Sequence, residues 1–298
     1  MKKLLKRILM LTLTFTLSSA FAFSHGIYIT GSTAEHMNKL QNLINQSKKY
    51  GIDTFVIDVD SSNNKRFAQN VKSVVAQGIH FVARIVIFPH GGTHRQVTDR
   101  TIWAKRLALA KYAIGLGAST IQLDYIRYQA ENPPNPAKAK QILKVVQYFK
   151  NETAPYHVKL QMDIFGVAAL KPAHTIGQDV GLLATVIDAF CPMVYPSHYE
   201  PFRHHAVHPY ETVFHSIAAL KKQLTNHPNV GVFAFIEIYN YRFWLSPSKK
   251  AEYILAEMKA ATDAGANGWY VWSATNHYSP LFQFLATHPN ACQCKKTV

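Results

Sequence analysis

The segment TIQLDYIRYQ, Thr120 to Gln129, sets an aspartate, an arginine and two tyrosines among residues that otherwise compose a buried strand. Strand alternation puts Gln122 and Asp124 on one face and Leu123 and Tyr125 on the other. Burying a carboxylate is costly, so Asp124 needs either an ion-pair partner or a catalytic task. Arg127, three residues on, is the expected partner and would hold Asp124 ionised; the plainer alternative is that the two only close a rim. KLQMDIFG, from Lys159, repeats the pattern with Gln161 and Asp163. Two carboxylates on neighbouring strand ends can stand about 5 to 9 Å apart, the separation used to cleave glycosidic bonds.

Other side chains could serve the same chemistry. Asp58 and Asp60 lie in TFVIDVD, where Asp58 could orient a substrate hydroxyl, and Glu237 at the end of NVGVFAFIE is a reserve acid. Tyr195, His198, Tyr199, Trp272 and Tyr278 could offer faces that match the apolar faces of pyranose rings, although any single aromatic is more often core than subsite. Arg84, Gln122, Arg127 and Asn276 complete the candidate substrate-binding set. In SHYEPFRHHAVH, His198, His204, His205 and His208 with Glu200 could ligate a metal, yet their spacing matches no metal motif, and neither metal nor cofactor is expected.

These residues need a scaffold, and the chain supplies a repetitive one. Short β-rich runs alternate with longer segments of helical period, the pattern of βα units around a parallel sheet. Eight runs read as strands: GIYITG, TFVIDVD, HFVARIVIF, TIQLDYIRY, KLQMDIFG, AFCPMVYP, NVGVFAFIE and GWYVWS. Helices are expected over Thr33 to Tyr50, Thr101 to Leu116 and Ser248 to Ala264, among others, with Gly51, Gly78, Gly117 and Gly265 as left-handed caps. The fold class is therefore α/β, a single (β/α)8 TIM barrel over residues 23–290, with a doubly wound open sheet as the weaker alternative. In a barrel the working face is at the carboxyl ends of the strands, which is where the polar candidates cluster. ENPPNPAK, after the fourth strand, reads as a functional loop.

The termini bear on compartment. Met1 to Ala22 has a basic head, a short apolar run and an A-x-A site at Ala20 and Ala22, the build of a secretory signal peptide, so an exported, periplasmic or secreted bacterial protein is expected. The formal charge is +15, and the four basic residues of the leader, Lys2, Lys3, Lys6 and Arg7, leave +11 on the mature chain. That suits an anionic polysaccharide, but the lysines are scattered, and no nucleic-acid motif, P-loop or dinucleotide glycine pattern is present. Cys191 reads as a buried thiol, while Cys292 and Cys294 lie in the polar tail, residues 291–298, where they could pair with each other or with another chain. The oligomeric state is open.

The blocks GIHFVARIVIF, TIQLDYIRY, MDIFG, IDAFCPMVYPSHYEP, HPYETV and AGANGWYVWSATNHY resemble, in order, those of an uncharacterised bacterial family assigned to the glycoside hydrolases. PMVYPSHY is the most specific of them. The resemblance covers nearly the whole mature chain and implies a TIM barrel distantly related to the alpha-amylase clan, acting on a carbohydrate. By that analogy Asp124 would be the nucleophile and Asp163 the acid/base, where the clan usually has glutamate. The seventh strand departs from the family pattern, reading VFAFIE where a tryptophan and a glutamine are common. A carbohydrate-binding barrel that has lost the reaction, and a metal-dependent hydrolase using the His198 to His208 loop, are the alternatives.

Overall fold

The computed structural model describes residues 23–292 except 63, 132, 240 and 290. The expected leader and Cys294 lie outside the described residues. Eight parallel strands, β1 (Ser24–Ile29), β2 (Thr54–Asp58), β3 (His80–Val86), β4 (Thr120–Asp124), β5 (Lys159–Phe165), β6 (Ala189–Met193), β7 (Gly231–Glu237) and β8 (Gly268–Trp272), pair in sequence order. Pairing of β1 with β8 closes the barrel, so the open-sheet alternative falls away.

Both faces of each strand are covered, which is why the strands read as nearly continuous apolar runs instead of alternating ones. Outward residues such as Ile27, Phe55, Leu123 and Ile236 join the large core beneath the helices, whereas Val56, Val82, Cys191, Phe233, Phe235 and Tyr270 fill the barrel interior. The helix Pro247–Asp263 shows how local sequence sets this up. The Ser246 side chain caps Lys249 N, proline opens the first turn, and Tyr253, Ile254, Glu257, Met258 and Ala261 make its buried stripe. It ends before Gly265, at φ +81°, in the left-handed region that glycine tolerates. Gly51, Gly78 and Gly117 are left-handed as well. Among the described residues no helix is long and apolar enough to cross a membrane.

Two elements differ from expectation. The helix read from Thr33 to Tyr50 is two pieces, Gly31–Ala34 and Met37–Lys49, because Thr30 caps a separate first turn and His36 takes extended backbone angles. The fourth strand stops at Asp124 instead of running on to Tyr128. There Asp124 Oδ1 accepts the Tyr125 N–H at 2.5 Å, and Tyr125 turns to φ 49°. Such a local side-chain bond competes with the ladder. Strand alternation therefore ends at Asp124, and Tyr125 turns toward the cavity above the barrel instead of away from it.

Candidate active site

The carboxyl ends of β2 to β5 deliver one cation and three carboxylates to the same place. Arg84 on β3 is in register with Asp58 on β2 and with Gln122 on β4, and Asp124 lies one inward position above Gln122. The Arg84 guanidinium donates from Nε to Asp124 Oδ2 at 2.8 Å, from Nη2 to the same oxygen, and from Nη1 to Asp58 Oδ1. Asp163 Oδ2 lies 4.0 Å from Nε. Tyr28 donates its hydroxyl to Asp58 Oδ2 and stacks on Trp272 at a centroid distance of 3.9 Å. Arg84 is in turn 5.2 Å from the Trp272 ring and 5.4 Å from that of Tyr28. The guanidinium is thus held on an aromatic support as well as by charge.

The charge balance assigns protonation states. Three ionised carboxylates around one buried guanidinium would leave two negative charges uncompensated among largely buried groups. Asp163 is the group that gives way: burial, reinforced by the nearby Asp124 carboxylate, pushes it well above the usual range against the pull of Arg84. Its Oδ1 has no hydrogen-bond partner. Burial also raises Asp58, although the Arg84 charge and the Tyr28 hydroxyl oppose the shift. Burial would lower the Arg84 pKa, but Asp124 and Asp58 outweigh it, and the guanidinium stays charged. Three N–H donors converge on Asp124, two from Arg84 and one from Tyr125.

Above this floor opens a cavity of about 620 Å3 into which Arg84, Asp124 and Asp163 all face. Its walls are largely aromatic, with Tyr125, Phe165, Phe235, Tyr239 and Trp272 from the strand ends and the loops after them. The β6 loop contributes Tyr195, His198, Tyr199 and Glu200, and the short helix Gly166–Leu170 sets Val167 and Leu170 at the lip. A Cβ on Gly166 would fall 2.1 Å from Tyr199 Oη, so glycine is what lets that ring close the wall.

The structure thus brings together Asp124, Asp163, Arg84, Tyr195, His198, Tyr199 and Trp272, with Asp58 directly behind Arg84. It separates others from the cavity. Arg127 does not pair with Asp124: its Nη1 donates to the Tyr128 carbonyl at 3.0 Å and its guanidinium lies over Phe165 at 4.7 Å, because the chain has already turned away at Tyr125. Arg84, on the adjacent strand, takes that partnership. Gln122 is one layer down, donating to Gln161 Oε1 at 3.2 Å and Cys191 Sγ at 3.3 Å. Asn276 ties the β8 loop to β1 through Tyr28 O and Thr30 N, and Tyr278 donates to Tyr28 O. Asp60 accepts from Ser62 N on an exposed turn.

Glu237 also stands outside the cavity, fully buried and bonded to Ser197. The four histidines do not form one site: His205 packs against the ring of His204, away from the cavity. His198 lines the cavity while His204 and His208 pack ring to ring on the outer helix Phe202–Ala206 and its exit, and among the described residues no three His, Cys, Asp or Glu side chains are placed to hold a metal ion. Sequence reasoning missed Tyr28, Tyr239 and Phe235. Phe235 alone had a readable signal, as an inward position two residues before Glu237.

A closed (β/α)8 barrel with carboxylates on the floor of an aromatic cavity at its carboxyl face has the architecture of the TIM-barrel glycoside hydrolases. Residues 89–278 match the family model DUF4015, described as "Putative glycosyl hydrolase domain", and the chain belongs to that family. Its class is therefore glycoside hydrolase. No curated protein matches it in sequence. Among solved structures it is similar to the glycoside hydrolase domain of PgaB (BpsB) from Bordetella bronchiseptica, at 11% identity and TM-score 0.59 over 90% of this chain and 97% of that one. It is similar also to a class V chitinase from Pseudomonas fluorescens Pf-5, at 14% identity and TM-score 0.63 over 89% and 99%. The Bacillus cereus spore cortex-lytic enzyme SleL matches at 11% identity and TM-score 0.64 over 90% and 75%. At these identities the likeness speaks for the fold.

Proposed function

We propose that the protein is an exported glycoside hydrolase that cleaves a polysaccharide or oligosaccharide with Asp124 and Asp163 as its carboxylate pair. The observation that carries this reading is the shared guanidinium. Asp124 Oδ2 and Asp163 Oδ2 lie 2.8 and 4.0 Å from the same Arg84 Nε, so the two oxygens stand no more than about 7 Å apart. That upper bound keeps the pair close enough to act on one glycosidic bond, across which two carboxyl groups stand about 5 to 9 Å apart. Their environments differ as the chemistry requires: Asp163 keeps its proton and can donate it to the departing oxygen, while Asp124, surrounded by N–H donors, faces the anomeric carbon as carboxylate. The aromatic walls suit pyranose faces, and the names of the structural neighbours, chitinases and a glycoside hydrolase domain among them, support a carbohydrate substrate.

The basic mature chain favours an anionic polymer, for which KM should rise with salt. Export rests on the leader, and mass analysis of the protein recovered outside the cytoplasm should find cleavage after Ala22. The activity is tested by incubating the purified mature protein with a panel of bacterial polysaccharides, following reducing ends and binding together. Release of reducing ends that disappears in Asp124→Asn supports the reading. Binding without release supports the non-catalytic barrel instead, which the departure of the seventh strand, VFAFIE, from the family pattern favours.

A further inference from the structure

Glu237 ends β7 one inward position beyond Phe235, yet it does not face the cavity. Its carboxylate turns sideways to the β6 loop. Oε1 accepts the Ser197 N–H at 2.9 Å, and Oε2 accepts the Ser197 hydroxyl at 2.7 Å. Ser197 is held from its other side too, since Arg242 Nε donates to its carbonyl at 3.0 Å. Both Ser197 and Glu237 are fully buried. Every polar group of Ser197 is therefore taken by residues of β7 and the loop after it, and the flanking Tyr195, His198, Tyr199 and Glu200 all line the cavity.

The far side of the clamp is anchored to the helix Pro247–Asp263. Tyr253 donates its hydroxyl to Glu237 Oε1 at 3.4 Å, and Glu257 Oε1 accepts the Glu237 N–H at 3.2 Å. We infer that Glu237 is a positioning residue, one that sets the β6 loop so that His198, Tyr199 and Glu200 form the substrate-facing wall of the cavity. It takes no proton from substrate and touches none. The inference rests on the hydrolase reading for its kinetic consequence, but its structural consequence does not depend on turnover. Burial raises the Glu237 pKa to about 7, against the Ser197 bonds. Ionised or protonated, the carboxyl retains an acceptor for the Ser197 N–H, so a neutral amide can take its place.

The test compares Glu237→Gln with Glu237→Leu. Glutamine keeps the shape, an acceptor for the Ser197 N–H and a donor for its hydroxyl, whereas leucine leaves both Ser197 groups buried without partners. On whatever polysaccharide the panel identifies, Glu237→Gln should stay within about threefold of the parent protein in kcat and KM. Glu237→Leu should raise KM about tenfold with kcat changed far less. A catalytic acid at this position predicts the opposite, a comparably large fall in kcat in both variants, and that result overturns the inference. The second readout is tryptic cleavage at Arg203, in the exposed helix that follows the loop, under native conditions. It should accelerate several-fold in Glu237→Leu, and in Glu237→Gln remain at the parent rate. If no polysaccharide is hydrolysed the hydrolase reading fails while the cleavage pattern still decides the clamp; an unchanged pattern in a folded Glu237→Leu shows that the loop is held without Glu237.

Discussion

Replacing Arg84 with methionine probes the charge arrangement on which the catalytic reading stands. The guanidinium is buried and shared by Asp58, Asp124 and Asp163, and methionine of similar reach removes the charge while refilling most of the volume. Removing one partner of a buried ion pair costs roughly 3–5 kcal/mol, because the remaining charge is left without compensation. Asp124 would lose two N–H donors and Asp58 one, so a loss of about 4 kcal/mol near neutral pH is expected. At roughly 2–4 °C per kcal/mol for a large domain, Tm should fall by about 10 °C.

The pH dependence follows from the direction of the shifts. Asp58 and Asp163 already titrate above their unfolded values, and without Arg84 they would titrate higher still. A carboxyl whose folded pKa is raised contributes its stability fully below the unfolded pKa of about 4, and that contribution is lost as pH rises through the folded value. The deficit of Arg84→Met should therefore be smallest near pH 4 and largest near pH 8. Thermal unfolding followed by circular dichroism at pH 4, 6 and 8 measures it. A deficit below about 2 °C at pH 8, or one equally large at pH 4, would refute the ion cluster as described.

Asp124→Asn should lower kcat by at least about 10³-fold, read as reducing-end release beside an unfolding curve, and because it too removes a partner of the buried Arg84 it should lower Tm by an amount comparable to Arg84→Met. Asp163→Asn should abolish the alkaline limb of the pH-activity profile, since the acid must hold its proton and its pKa is raised; an aryl glycoside with a good leaving group should lose far less rate than the natural linkage. Arg84→Lys should lower kcat and Tm as Asp124 loses a two-point guanidinium contact, while Arg127→Met should shift neither to the same extent, because Arg127 makes its hydrogen bond to the Tyr128 carbonyl and not to Asp124. A shift in Arg127→Met as large as that in Arg84→Lys would return the partnership to Arg127. Trp272→Ala should raise KM several-fold by removing both a cavity wall and the face that supports Arg84.

The barrel was legible because each of its elements is specified locally. Eight apolar runs, helical segments between them and left-handed glycines at Gly51, Gly78, Gly117 and Gly265 are patterns of near neighbours, and local rules read their number and order, though not the break at His36 or the end of the fourth strand. The inward placement of Asp124 and Asp163 followed from period-two alternation, and that rule holds as far as the strand does. It failed one residue later, at Tyr125, where a single side-chain bond ended the strand.

What tertiary structure decided was partnership. Arg127 is three residues from Asp124 in the chain and bonds elsewhere, while Arg84 is forty residues away in sequence and is the ion partner, because parallel register sets β3 beside β4. Glu237 has the burial and raised pKa of a catalytic acid, and only the path of the β6 loop beside it turns that carboxylate toward Ser197 and away from the cavity. Sequence thus determined which strands exist and which faces their residues take, since both depend on backbone geometry within a few residues. Which charges meet depends on the closure of the barrel and the course of its loops, where contacts between residues far apart in the chain outweigh any local preference.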